Sequence, residues 1–329
     1  MSSPSKMNMV QAINLALHHA MEIDAGVLAL GEDIADAQGG GVFKCTAGLS
    51  TKFGTQRVRS TPIAEQAIMG AAVGAALSGM RPVAEIMLMN FMTVGMDQLV
   101  NHAAKLRFMT GGQTHVPLTV RTATGAGFGT GGQHADCLES WFAHTAGIKV
   151  VAPSTPADAY GLLLSCIFDD DPCVFIENLP LYFVAGAAPV PGNRVPLGQA
   201  KVVREGSDVT VISYSRTMLE VLAVAEELAK RDISVEVIDL RSIAPLDMHT
   251  LRTSVAKTRR AVVAHEAQVD FGVGAEISAR LHRDLFGQLL APVERVGAAR
   301  SPVPFSKALE SAYLPTPERI RAAILQTFA

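Results

Sequence analysis

Apolar and polar positions follow two periods along this chain, and the periods take turns. Residues 7–22 place Val10, Ile13, Leu17 and Met21 on one face at helical spacing. The short apolar run "VLALG" (27–31) then predicts a buried strand. The exchange continues with a strand over "PVAEIM" (82–87), a helix over 91–109 and a strand over "PLTVRTA" (117–123). After a Gly-rich loop come a strand over "IKVVAP", a helix over 156–168 and a strand over "CVFIEN". Near-continuous apolar strands separated by helical runs predict a parallel sheet covered on both faces.

The Pro- and Gly-rich stretch "PLYFVAGAAPVPGNRVPLG" (180–198) breaks this alternation and reads as an interdomain linker. Beyond it a second series starts with "DVTVISYS" as strand and 216–231 as helix. "SVEVIDL", "AVVAHE" and "VERVG" follow as strands, with helices over 247–256, 272–286 and 316–327. The expected organisation is two doubly wound α/β domains, one over 1–180 and a smaller one over 200–329, joined by a linker over 181–199.

Composition narrows the classes of function. With 329 residues, 49% of them hydrophobic and 18% charged, the chain can bury a sizeable core in two domains. The net charge is −3 and no cluster of Lys and Arg supplies the basic face that nucleic acid requires. The opening, Met1 to Lys6, is polar and lacks the apolar core of a signal peptide. Gly, Pro, Arg or Glu interrupts every long apolar stretch before it could span a bilayer. Cys45, Cys137, Cys166 and Cys173 are scattered, with no C-x-x-C pair. That spacing argues against a zinc site or a disulfide framework and favours a reducing, cytoplasmic location.

Four short segments carry candidate chemistry. "RSTPIAEQAIMGAAVGAALSGMRP" (59–82) contains a single acid, Glu65, at the front of an apolar helical run. Thr61 is a suitable N-cap and Pro62 a suitable first residue, and a first-turn Glu gains roughly 0.3–1 kcal/mol from the helix dipole. A reciprocal capping box would need the Glu three residues after the cap, not four. Gly70, Gly74 and Gly79 each cost about 1 kcal/mol relative to Ala in a helix interior, which suggests close packing against another backbone. An acid at the tip of such a helix is a candidate for chemistry in a dry site. In "LGEDIAD", Glu32 and Asp33 close a strand, where open α/β sheets collect ligands. "GAGFGTGGQHADC" sets His134 in a loop with glycines at 125, 127, 129, 131 and 132. No G-x-x-x-x-G-K-[ST] P-loop is present, and "GAGFGTG" reads G-x-G-x-G, which speaks against a nicotinamide site. "IFDDDP" (167–172) is an acidic turn, read either as a solvated loop or as a cation site built from carbonyls and carboxylates.

Taken together, these segments resemble the beta subunit of the thiamine-diphosphate-dependent 2-oxo acid dehydrogenases, the decarboxylating component of pyruvate, branched-chain and acetoin dehydrogenase complexes. The resemblance runs from about residue 7 to the end. It is carried by "LGEDIA", "GGVFKCTAGLSTKFG", "RVRSTPIAEQAIMGAAVGAALSGMRPVAEI", "NFMTVGMDQLVNHAAKLRFMTGG", "GGQH", "LESWFAHTAGIKVVAPSTPADAYGLL", "KTRRAVVAHEA" and "GVGAEI". It implies a transketolase-like pyrimidine-binding domain followed by a transketolase C-terminal-like domain. In the family, the acid of the T-P-I-x-E segment hydrogen-bonds a ring nitrogen of the cofactor's aminopyrimidine, and that position is Glu65. The resemblance also implies Glu32, Ile63, Met87 and Phe91 around the pyrimidine. His134 falls on the loop histidine that serves acyl transfer to lipoyl. Leu118, Cys166, Ile167, Asp169 and Asp171 fall on a potassium site of relatives.

The G-D-G segment and later Asn that fix magnesium and the diphosphate in thiamine-diphosphate enzymes are missing here. The resemblance therefore implies an alpha subunit that supplies that half, in a heterotetramer of two alpha and two beta chains. It further implies a lipoyl-bearing acyltransferase core as partner, with the Gly-studded helix after Glu65 as a subunit contact. Ala135 and Asp136 depart from the residues usual after the loop histidine, and Phe168 stands where relatives usually carry a basic side chain. These departures leave substrate and acceptor open, as they do two alternatives. One is a subunit of a lipoyl-independent transketolase-like or synthase enzyme, and the other is a scaffold subunit without chemistry.

Overall fold

The computed structural model describes residues 6–329, so Met1 to Ser5 of the polar opening lie outside the described residues. The chain divides into two compact units. The first takes in the chain up to Thr124 and again Trp141–Leu197, and the second Gly125–Ser140 and Gly198–Ala329.

In the first unit six strands pair in parallel, in the order Lys149–Val151, Cys173–Asn178, Thr119–Thr124, Arg81–Leu88, Val27–Glu32, Val58–Thr61. Thr119–Thr124 and Cys173–Asn178 are buried at every position, as expected for a sheet covered on both faces. Chain order reverses around Val27–Glu32, because the next strand lies on one side of it and the following strand, Arg81–Leu88, on the other. Such a reversal opens a crevice at the strands' carboxyl ends.

Helix Met9–Ile23 starts with a reciprocal capping box between Asn8 and Gln11 and buries Ala12, Ile13, Ala16, Leu17 and Ala20. It packs with helix Pro156–Ile167, which Thr155 caps and Pro156 opens. The Pro- and Gly-rich stretch is fastened to this unit. Ala185–Ala187 pairs antiparallel with Lys6–Asn8, the Gly192 N–H donates to Tyr160 Oη at 2.7 Å, and Val195 is buried against Gly161.

In the second unit the strand order is Glu294–Ala298, Ala261–Gln268, Val209–Ser213, Val235–Asp239, Lys201–Arg204, with the last strand antiparallel at the edge. Val209–Ser213 and Val235–Asp239 are buried throughout. Helix Thr217–Ala229 packs Met218, Val221, Val224 and Leu228 with Ile320 and Ile324 of helix Pro317–Gln326. Both units are thus parallel-centred sheets with helices, and the doubly wound α/β expectation holds.

Two local expectations are corrected. Thr61 is not an N-cap: it ends strand Val58–Thr61, in register with Glu32, and helix Glu65–Leu77 begins after Ala64 with no side-chain cap. The helix expected over 91–109 is a composite of a 3-10 stretch Met89–Gly95, a π-helical stretch Asp97–Ala103 and helix Ala104–Met109. Gly95 lies within this irregular segment. A Cβ there would lie 2.6 Å from Met69 Cγ and 3.4 Å from the Glu65 carbonyl oxygen, so the segment can approach the first turn of the Glu65 helix only without a side chain.

Candidate cofactor site and its acidic surroundings

Five of the expected residues collect at the carboxyl ends of the first unit's strands. Glu32 is the last residue of its strand and Glu65 the first of its helix. Both side chains are partly buried, and neither carboxylate has a hydrogen bond or ion pair among the described residues. Burial pushes the Glu32 carboxyl's pKa up, and the charges of Glu65, Asp33 and Glu85 push it the same way. The hydroxyl of Thr61, opposite Glu32, is buried without a partner.

Met87 is the extra residue of a bulge, since Ile86 pairs with Thr122 and Leu88 with Ala123. A bulge re-aims a side chain near the end of a strand, and such bulges are common beside active sites. Met87 and Phe91 are partly buried and pack on the core, whereas Ile63 is 82% exposed. The arrangement therefore offers two close carboxylates, an orphan hydroxyl and thioether and aromatic walls. That donor set suits a flat heterocycle with ring nitrogens and an amino group.

Sequence reasoning missed the structure behind this end of the sheet. Arg121 is buried and donates from Nε and Nη2 to both carboxylate oxygens of Glu177, at 2.7 and 2.9 Å. Its Nη1 donates to Glu85 at 2.5 Å, and Tyr182 donates to Glu177 at 2.5 Å. Burial opposes the Arg121 charge, but Glu177 and Glu85 outweigh it and raise its pKa. With Phe43, Cys45 and Met87 these groups line a cavity of about 10 Å³. The signal was present: an Arg inside the apolar run "PLTVRTA" and a Glu inside "CVFIEN" must be paired if those strands are buried. Burial pushes the Cys45 thiol up, which makes it a packing group and not a nucleophile.

His134 belongs to the second unit, in the segment Gly125–Ser140. The loop ahead of it needs left-handed backbone at Gly125, Gly127, Gly129 and Gly131. The His134 N–H donates to the Gly131 carbonyl at 3.2 Å and so tightens the turn. Five residues on, Glu139 is buried and accepts from Tyr214 Oη at 2.5 Å. Burial pushes this carboxyl up, and the hydrogen bond partly offsets the shift. Beside Gln133 lies an apolar hollow of about 780 Å³, lined in part by Pro302, Phe305, Leu309 and Tyr313.

The residues expected at a potassium site meet in the acidic turn of the first unit. The carbonyls of Ile167 and Asp169 accept from Arg81, that of Leu118 from the Cys173 N–H and that of Cys166 from the Asp169 N–H. Lys149 Nζ lies 2.6 Å from Asp169 and 3.5 Å from Asp171, while Arg107 pairs with Asp171 at 2.6 Å. Burial opposes the Lys149 charge, and Asp169 outweighs it, so its pKa is raised. Phe168 receives the guanidinium of Arg194 over its ring at 4.0 Å. Each carbonyl retains a lone pair for a monovalent cation, but three positive side chains, Arg81, Arg107 and Lys149, already serve the turn. Among the described residues no group of three or more His, Cys, Asp or Glu could hold a metal ion, and no helix is long and apolar enough to cross a membrane.

Comparison with known proteins gives this geometry its family. Residues 5–183 match the transketolase pyrimidine-binding domain, and residues 198–320 match the transketolase C-terminal domain. The chain is 42% identical over 330 residues to the Cupriavidus necator acetoin:2,6-dichlorophenolindophenol oxidoreductase subunit beta, covering 98% of this chain and 97% of that one. It is 44% identical over 317 residues to the Staphylococcus epidermidis pyruvate dehydrogenase E1 component subunit beta, covering 96% and 97%. To the Mycobacterium tuberculosis 3-methyl-2-oxobutanoate dehydrogenase subunit beta it is 44% identical over 315 residues, covering 95% and 90%. A solved split-gene transketolase, an inactive beta4 tetramer, superposes with a TM-score of 0.77 over 98% of both chains at 20% identity, a likeness of fold. The crevice at the strand ends thus lies in a pyrimidine-binding domain, and the chain belongs to the family of acetoin, pyruvate and branched-chain 2-oxo acid dehydrogenase E1 beta subunits.

Proposed function

We propose that this chain is the beta subunit of a thiamine-diphosphate-dependent dehydrogenase that cleaves a small 2-oxo acid or acetoin and passes the acyl group to lipoyl on an acyltransferase core. The observation that carries this reading is the pair Glu32 and Glu65, two neighbouring carboxylates without hydrogen-bond partners at the mouth of a pyrimidine-binding domain. When bound, thiamine diphosphate supplies the nucleophilic carbon and the electron sink. Glu65 holds a hydrogen bond to the aminopyrimidine ring in a partly desolvated site, where such a bond is stronger than in water. Glu32 lies within electrostatic reach of Glu65, so a ligand that donates a hydrogen bond to either carboxylate relieves their repulsion. Met87, Phe91 and Ile63 give the ring an apolar bed. His134 serves the acyl-transfer step, orienting or protonating the reacting group, and the apolar hollow beside Gln133 has room for a hydrocarbon arm.

The second half of the cofactor site comes from an alpha subunit, which holds the diphosphate and magnesium. The exposed side of helix Glu65–Leu77 supports this partner. Ala67, Gly70, Ala71, Gly74 and Leu77 lie outward there, and no atom stands within 4 Å of a Cβ placed on Gly74. A helix as apolar outside as inside is built to be covered. We further propose two alpha and two beta chains per assembly, a cytoplasmic location, and weak potassium binding at Leu118, Cys166, Ile167, Asp169 and Asp171.

The test is Glu65→Gln in the alpha–beta assembly. Turnover with an artificial electron acceptor should fall by about 10²–10⁴-fold while the assembly keeps its size on a sizing column. Turnover at the wild-type rate would overturn the role of Glu65.

A further inference from the structure

Backbone N–H groups of the second unit's glycine loop are occupied by carboxylates of the same unit. The Gly127 N–H donates to Glu310 Oε1 at 2.7 Å, and the Gly129 N–H lies 3.2 Å from each oxygen of that carboxylate. The neighbouring Ala126 N–H donates to Glu266 Oε1 at 2.7 Å, and the Ala126 carbonyl accepts from Arg216 at 3.1 Å. Glu310 is 3% exposed and Glu266 7%. Phe305 closes the loop from the other side, where a Cβ on Gly131 would lie 2.4 Å from its ring. Successive backbone N–H groups around left-handed glycines bind anions readily, and here two internal carboxylates occupy them.

We infer that Glu310 and Glu266 are positioning residues for His134: they clamp the backbone of residues 126–129 and so fix the turn that carries the imidazole. The inference rests on the role proposed for His134 in acyl transfer. A loop this rich in glycine loses much conformational entropy when ordered, and charge-assisted hydrogen bonds to buried carboxylates offset that loss. Both carboxylates come from the second unit itself, from strand Ala261–Gln268 and helix Lys307–Tyr313, so the clamp is complete within that unit.

The experiment uses the alpha–beta assembly carrying Glu310→Gln, which keeps the shape and removes the charge. Amide hydrogen exchange over residues 125–132 should rise about tenfold, the worth of one charge-assisted hydrogen bond, with the strands of the second unit unchanged. Acylation of a free lipoyl domain should fall about tenfold further than turnover with an artificial acceptor. The double variant with His134→Ala should transfer no more slowly than His134→Ala alone, because the two act as one unit. Unchanged loop exchange would overturn the inference. So would a rise spread over the whole second unit, or equal losses in the two assays for Glu310→Gln when His134→Ala separates them. If His134→Ala itself lowers both assays equally, the reading of His134 fails, and loop exchange still decides whether the clamp exists. Glu266→Gln, acting through the Ala126 N–H, provides the same exchange test should Glu310→Gln fail to accumulate.

Discussion

The first unit contains two acidic regions with opposite fates. In the turn around residues 167–172, Asp169 and Asp171 face Lys149, Asp171 also faces Arg107, and Asp170 is held by Arg81 at 3.0 Å. At the strand ends, Glu32 and Glu65 sit within electrostatic reach of each other with no cation and no hydrogen bond among the described residues. The same residue class thus finishes a structure in one place and leaves it unfinished in the other. Partly buried charges are normally paired, and we propose that a ligand completes the balance at this unpaired pair. Glu85 lies between these cases: its carboxylate adds to the repulsion on Glu32 and is tied down by Arg121.

Several experiments sharpen or break this contrast. The largest effect should separate Glu65→Gln from Asp170→Asn. The first should lower turnover by about 10²–10⁴-fold, the usual range for a proton-handling group, and the second should leave turnover unchanged and cost about 1 kcal/mol or less. A similar loss of turnover in both would erase the distinction. Next comes Arg121→Met, which strands Glu177 in the core and should cost about 3–5 kcal/mol in denaturant titration. The milder Tyr182→Phe removes one hydrogen bond and should cost about 1 kcal/mol.

The pH dependence of stability tests Glu32. Its folded pKa is raised above its unfolded value, so the folded state binds the proton more tightly and the group destabilises the fold once ionised. Stability should fall as pH rises from about 4.3, the ordinary Glu value, through the raised one. Glu32→Gln should remove that slope and raise the neutral-pH melting temperature, and an unchanged slope would mean that the repulsion is absent. The smallest effect is expected at the turn, where Lys149 and Arg81 already supply positive charge. Replacing potassium with sodium should change stability by on the order of 0.5 kcal/mol, the value for an ion present near its dissociation constant.

Much of this was legible from periodicity. The buried strands and the helices Met9–Ile23 and Pro156–Ile167 show their buried faces in the sequence, because each must hide one. Motif resemblance led us to expect Glu32, Glu65, Met87 and Phe91 together, and all four lie in or just after strands at the carboxyl end of one sheet. What escaped were features made by partners far apart in the chain. Thr61 has good N-cap chemistry, yet pairing with Glu32's strand claims it. The Arg121 clamp joins residues 36 and 56 positions away, and the glycine loop's carboxylate lies 183 positions on. Lys201–Arg204 is a short edge strand with charged ends, too polar to announce itself by apolar run length.

The most direct test of the split site is calorimetric titration of thiamine diphosphate with magnesium into this chain alone, repeated after adding its alpha partner. No heat from the chain alone and a clear binding isotherm with the partner is the predicted result. Tight binding to the isolated chain would contradict the account, because this chain would then hold the diphosphate itself.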